Sequence, residues 1–331
     1  MPQRVSSGAM PEDEARPLLP TPPDNNGQRR PGVLVAISLG VALSGLSIIG
    51  LRLGTFGLAR RSVVGAPPQL DLATESHRGS RNSRALFFVG SYTMSVEGIE
   101  SDGHGDGITS LWVEEEAETG SFTAQVAAVV DAGVNPSSLA AHPSGGYLYT
   151  GNEGGYSYPG RARAFALDES TGALTELNHQ DSTGWNPSSI TVSPDGKWVA
   201  MGLFLGGGGV SLFPVREGGS LGPESHFWTE GISEGSAVHD VLFDPEDASA
   251  LYAVDNGLSR VYILDLGDVA GEQPVTIRST LQLDSSLGPR SLALHPRRPS
   301  TLYVSLQSGD GVAILEKRGA GGGGLEGEWE E

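Results

Sequence analysis

The chain has 331 residues, 38% of them apolar, with 48 glycines, 21 prolines and no cysteine. The lack of cysteine excludes a disulfide framework, a thiolate zinc site and a cysteine nucleophile, and the Gly/Pro content suits many short strands and tight turns better than helices. Charge is uneven: residues 1–84 carry 10 Arg/Lys against 6 Asp/Glu, and residues 85–331 carry 11 against 34, so the body repels phosphate backbones and nucleic acid is not an expected partner.

Residues 1–30 are polar and proline-rich, the composition of a disordered tail. They are followed by PGVLVAISLGVALSGLSIIGL, residues 31–51, without a charge. As a helix that run would be about 31 Å long, one bilayer core. Arg29 and Arg30 flank one side, and Arg52, Arg60 and Arg61 the other. The expectation is a single transmembrane helix over 31–53, with a cytosolic N-terminus and a lumenal or extracellular body. Its 30-residue leader and long apolar run distinguish it from a cleaved signal peptide. Residues 54–84 read as a linker.

From residue 85 the pattern repeats. Pro143, Pro194, Pro245 and Pro296 are each 51 residues apart. They close the runs SSLAAHP, SSITVSP, HDVLFDP and RSLALHP, in which apolar residues alternate as in a strand. A second strand follows each (YLYTGNE, KWVAMGLF, ALYAVDN, TLYVSLQ), and then a third (ARAFALD, GVSLFPV, RVYILDL, GVAILEK). In the first unit LTELNHQ supplies a fourth. Upstream, ALFFVGSYT and ITSLWVEEE belong to a further unit that lacks its inner strand. Four strands per repeat predict an all-β chain, a β-propeller of four-stranded blades, about five of them, spanning residues 85–318. No sustained helical period follows residue 84. Residues 319–331 form a Gly/Glu-rich tail.

The phrases VGSYT (89–93), NPSSLAAHPSGGYLYTGNE (135–153), ALDESTGALTEL (166–177), NPSSITVSPDGKWV (186–199), GGGVSLFPV (207–215), HDVLFDP (239–245) and GPRSLALHP (288–296) together resemble the lactonase-type seven-bladed propellers. That family includes the bacterial-type 6-phosphogluconolactonases and the carboxymuconate cyclases. The resemblance implies seven blades, two more than the repeats supply. A partner chain completing the ring is one expectation, and a truncated product or gene model the other.

In a propeller the start of strand one and the end of strand two meet at one mouth of the central channel. Steps of 51 place Ser137, Ser188, His239 and Arg290 at the first of these positions. Glu153, Phe204, Asp255 and Gln307 hold the second. The resemblance implies a site of histidine, arginine, glutamate and a further arginine. His239 and Arg290 match it, Gln307 stands in the glutamate's place, and the last arginine has no counterpart. Ser291 and Ala237 stand where the family often has histidines. Lactone opening needs an activated water, a stabilised oxyanion and an anchor for an anionic group, but no cofactor. His239 is the candidate base and Arg290 the anion or oxyanion ligand. With Gln307 they form the expected catalytic set, and Glu153, Asp255, Ser137 and Ser188 are expected to contact the substrate. Gln307 cannot exchange a proton, which motivates an alternative, a non-catalytic binding module. The expected partner is a small lactone, phosphorylated or carboxylated. Asp102-Gly-His104-Gly-Asp106 is calcium-like in composition alone. His142 and His295, next to turn prolines, read as structural.

Overall fold

A computed structural model describes residues 34–41, 47–53, 83–96, 103–116, 119–229, 235–267 and 275–316. Every element among them is a strand. The first sheet contains β1 (Leu34–Val41), β2 (Ser47–Leu53), β3 (Ser83–Gly90), β4 (Ile108–Glu116) and β5 (Ser121–Val130), in the order β2-β1-β3-β4-β5. The second runs β6 (Pro136–Ala141), β7 (Tyr147–Asn152), β8 (Arg161–Asp168) and β9 (Ala173–Asp181). The third runs β10 (Trp185–Val192), β11 (Trp198–Leu205), β12 (Gly209–Pro214) and β13 (His226–Trp228). The fourth runs β14 (Val238–Phe243), β15 (Ala250–Asp255), β16 (Arg260–Asp265) and β17 (Thr276–Gln282). The fifth has three strands, β18 (Pro289–His295), β19 (Arg298–Leu306) and β20 (Gly311–Glu316). Sheets two to five are antiparallel meanders. The four spaced prolines lie in the turns between the first and second strands of sheets two to five.

The N-terminal segment departs from expectation. The described residues of the apolar run are strands and not a helix: they supply β1 and β2, and β1 pairs in parallel with β3, Val35 opposite Phe87 and Ile37 opposite Val89. No helix among the described residues is long and apolar enough to cross a membrane. The physical reason lies in β3, whose inner edge offers an unpaired ladder, and in the β-branched residues Val35, Ile37, Val41, Ile48 and Ile49, which suit a strand. The expected vacancy at the inner position of the first sheet is thus filled. The expected tails (1–30, 319–331), most of the linker (54–84) and Asp102 of the calcium-like run lie outside the described residues.

Cores form between sheets. Leu86, Phe88, Leu139, Leu148 and Phe165 pack between sheets one and two, and Tyr149, Ile190, Val199 and Met201 between two and three. Leu212, Val241, Leu251 and Tyr262 fill the next gap, and Tyr252, Val254, Leu292 and Val304 the last. A single sheet cannot bury both faces, so stacking carries the hydrophobic stabilisation. The outward faces of the two terminal sheets show it by contrast. Phe122, Val126 and Val129 of β5 and Val312 and Ile314 of β20 are about half exposed, from 49% to 59%.

Polar bonds join each sheet to the next. Ser138 Oγ accepts the Ile190 N–H, Ser189 Oγ that of Val241, and Asp240 Oδ2 that of Leu292, each at 2.9 Å. His142 adds an outer tie, with Nε2 3.0 Å from the Gly196 carbonyl of the following turn. His295 Nδ1 accepts the N–H groups of Arg297 and Arg298. Both histidines hold turns, as expected. Three loops share an Asp-x-Ser turn, in which Asp168, Asp247 and Asp284 each accept the backbone N–H and hydroxyl of the serine two residues on.

Candidate active site

The 51-residue register leads to the site. The inner and second strands of sheets two to five share one register slip: between Pro136 and Ser138, Pro187 and Ser189, Val238 and Asp240, and Pro289 and Leu292, with a second slip in the fifth sheet between Leu294 and His295. The skipped residues are Ser137, Ser188, His239, and Arg290 with Ser291. Each candidate is therefore the bulged residue of its strand. A bulge leaves one residue out of the ladder and turns its side chain away from the sheet's alternation. The residue two before Ser137 is Asn135, with φ 42°; before Ser188 it is Asn186, with φ 54°; before Arg290 it is Gly288, with φ 56°. Asn and Gly are the residues that tolerate this left-handed conformation.

Asn135 also ties sheets together. Its Oδ1 accepts the N–H groups of Thr93 (2.8 Å) and Met94 (3.0 Å), and its Nδ2 donates to the Glu153 carbonyl at 3.1 Å. Its own carbonyl accepts the Glu153 N–H at 3.1 Å. Glu153 is thereby fixed through both backbone groups.

The side chain of Glu153 is fixed as well. Tyr92, just after β3, donates its hydroxyl to Oε2 at 2.8 Å. Ser137 Oγ donates to Oε1. Burial pushes the Glu153 carboxyl above its usual range, while Ser137, Tyr92 and the positive charge of Arg290 pull it back. The Tyr92 phenol is also raised, by burial and then by the charge of Glu153. Burial pulls the Arg290 guanidinium below its ordinary value, opposed by the charges of Glu153, Tyr92 and Asp240. The fifth sheet thus brings its arginine close enough to act electrostatically on residues of the first and second.

Arg290 Nη1 donates to Gln307 Oε1 at 2.6 Å. So the start of strand one meets the end of strand two, as expected, in the pairs Ser137–Glu153 and Arg290–Gln307. His239 sits on β14, half-buried, with its ring edge-on to Phe204 of the preceding sheet at 5.5 Å. β14 packs beside β18, the strand of Arg290.

Two expected substrate contacts have other duties. Asp255 is buried, and its carboxylate accepts Ser236 Oγ (2.6 Å) and the N–H groups of Ala237 and Leu258 (both 2.9 Å). It holds together the loop before β14 and the turn after β15. Ser188 Oγ donates to the Val238 carbonyl of the next sheet at 3.0 Å. Tyr92 escaped the repeat analysis because it follows a second strand in the one unit without a recognisable inner strand.

Stacked antiparallel meanders of three or four strands, with a bulged polar residue at the start of the inner strand in sheets two to five, define a β-propeller. Residues 86–323 match the family described as Lactonase, 7-bladed beta-propeller, and the chain belongs to that family. It is 28% identical over 216 residues to a 6-phosphogluconolactonase of Formosa agariphila, covering 63% of this chain and 58% of that one. It is 28% identical over 240 residues to a 6-phosphogluconolactonase of Bacillus subtilis, covering 71% and 63%. The chain spans about three fifths of the length of these curated relatives. In structure it is similar to the periplasmic gluconolactonase of Pseudomonas aeruginosa, with a TM-score of 0.59, 23% identity, and coverage of 71% of this chain and 65% of that one. That likeness shows the fold.

Proposed function

We propose that this chain is a lactone-opening hydrolase of the 6-phosphogluconolactonase type, acting on a small anionic sugar lactone. The curated relatives carry that activity in their names. The observation that carries it here is the guanidinium of Arg290, anchored on a neutral Gln307 and set in an acidic body. A neutral anchor adds no further carboxylate to those of Glu153 and Asp240 that already act on this charge, which leaves more of it for a phosphate, a carboxylate or the oxyanion formed at the lactone carbonyl. Had a glutamate stood at 307, part of that charge would be compensated. His239, on the neighbouring inner strand, is the second residue assigned to the mouth.

The test is hydrolysis of 6-phosphoglucono-δ-lactone by the full chain, with the spontaneous rate subtracted. Acceleration is expected, with Arg290→Ala losing about two orders of magnitude in kcat/KM and His239→Ala also impaired. Unchanged rates in both variants would remove these two residues from the site. A non-catalytic module would show lactone binding without turnover, an outcome the similarity to hydrolases does not favour.

A further inference from the structure

We propose that Glu153, clamped between Tyr92 and Ser137, is the carboxyl group that carries the proton during lactone opening, an assignment that rests on the activity proposed above. The resemblance to the lactonase-type propellers implies a glutamate at position 307 for this work, but Gln307 cannot ionise. The three-residue cluster at Glu153 supplies what is missing, from a different pair of sheets.

The geometry is that of a positioned acid–base group. Two hydroxyl donors from separate segments hold the two carboxylate oxygens, Tyr92 Oη at 2.8 Å on Oε2 and Ser137 Oγ on Oε1. The backbone on either side is tied to Asn135, at 3.1 Å in both directions. Each oxygen retains a lone pair beyond the bond it accepts. Glu153 is half-buried, so water or a ligand at the mouth reaches it while its surroundings favour holding a proton. Arg290 lies close enough for its charge to act on both Glu153 and Tyr92, which puts a cation and a proton carrier around one space.

The reaction balances on these groups. As a water oxygen bonds to the lactone carbonyl carbon, the Glu153 carboxylate takes one proton from that water. The carbonyl oxygen becomes an oxyanion facing Arg290. Its electron pair then re-forms the C=O bond, the bond from carbon to ring oxygen breaks, and Glu153 returns the proton to that oxygen. One water is consumed, a hydroxy acid is formed, and its new carboxyl group releases a proton to solvent. Glu153 ends as it began.

The competing explanation is a purely structural knot between the first two sheets. The pH dependence of kcat for the full-length protein on 6-phosphoglucono-δ-lactone separates the two. Glu153→Gln is expected to lower kcat by about 10²-fold or more while the protein remains folded by circular dichroism. Tyr92→Phe removes a bond that favours the ionised carboxyl, so it is expected to move the acidic limb of the kcat profile upward. A knot would leave that limb in place. A wild type that accelerates hydrolysis, with Glu153→Gln matching its kcat or Tyr92→Phe leaving the limb unmoved, overturns the assignment and spares the activity. A wild type no faster than the spontaneous reaction overturns both.

Discussion

Asp240 of the fourth sheet accepts the backbone N–H of Leu292 in the fifth at 2.9 Å, and with its other oxygen the N–H of Val241. It is buried, and Ser138 and Ser189 hold the same position in earlier sheets. Removing a buried acceptor strands its donor at about 1–3 kcal/mol. Ser189→Ala leaves the Val241 N–H to Asp240 Oδ1 alone and is expected to lose about 1 kcal/mol of unfolding free energy. Asp240→Ala strands the Leu292 N–H and leaves the Val241 N–H to Ser189 Oγ alone, so it is expected to lose more. Equilibrium urea denaturation measures both, and an unaltered midpoint for Asp240→Ala would show that the tie contributes nothing.

The Asp-x-Ser turns predict an acid-labile fold. The carboxyl groups of Asp168 and Asp247 are held below their ordinary values chiefly by the hydroxyls of Ser170 and Ser249, and that of Asp284 chiefly by the Ser286 N–H. A depressed folded-state value gives stability that is present above the unfolded carboxyl range, about 3.9, and is lost as pH falls through the folded values. The melting temperature should drop below about pH 4. The triple variant Asp168→Asn, Asp247→Asn, Asp284→Asn should drop less steeply. Equal acid slopes for the two proteins would contradict this.

Glu153 has the opposite sign. Its carboxyl is raised in the fold by burial, so its protonated form is favoured and stability falls as pH rises through its folded value. Glu153→Gln should therefore melt at the same temperature as wild type or higher near neutral pH, with a flatter alkaline side. Differential scanning calorimetry from pH 5 to pH 8 is the measurement; a markedly lower melting point for the variant at neutral pH would contradict it.

The pairing of β1 with β3 is open to a clean chemical test, since the chain has no cysteine. Ile37 and Val89 are parallel partners, and neighbouring strands lie about 4.8 Å apart, within disulfide reach. Ile37→Cys with Val89→Cys should form an intramolecular disulfide under mild oxidation, seen as a thiol-reversible mobility shift. A helix through a bilayer would hold the two thiols apart, and failure to crosslink would restore that expectation.

The spaced prolines were enough to lay out the sheets, because a turn every 51 residues is written in residues that cannot sit inside a ladder. The pairs Ser137–Glu153 and Arg290–Gln307 were legible for the same reason: a repeated register carries a residue to a repeated place. What escaped was tertiary. Ser138, Ser189 and Asp240 carry no role in the repeated phrase itself, although each is a small acceptor, and only the stacked neighbour shows what it accepts. Asp255 was legible as the end of a second strand; the three donors that its buried carboxylate accepts from nearby loops were not. Tyr92 has no counterpart in the repeat that would have drawn attention to it. For the N-terminal run hydropathy alone does not separate a membrane helix from strands, and its described residues are strands.

In the three inner-strand ties made by Ser138, Ser189 and Asp240 the acceptor belongs to the earlier sheet and the donor to the later, so this row has a direction, like a zip with teeth on one side only. In the fifth sheet the corresponding residue is Ser291, which is exposed. Whatever continues the row must arrive head-to-tail and offer an inner-strand N–H; a copy of this chain presenting its own fifth sheet would meet acceptor with acceptor.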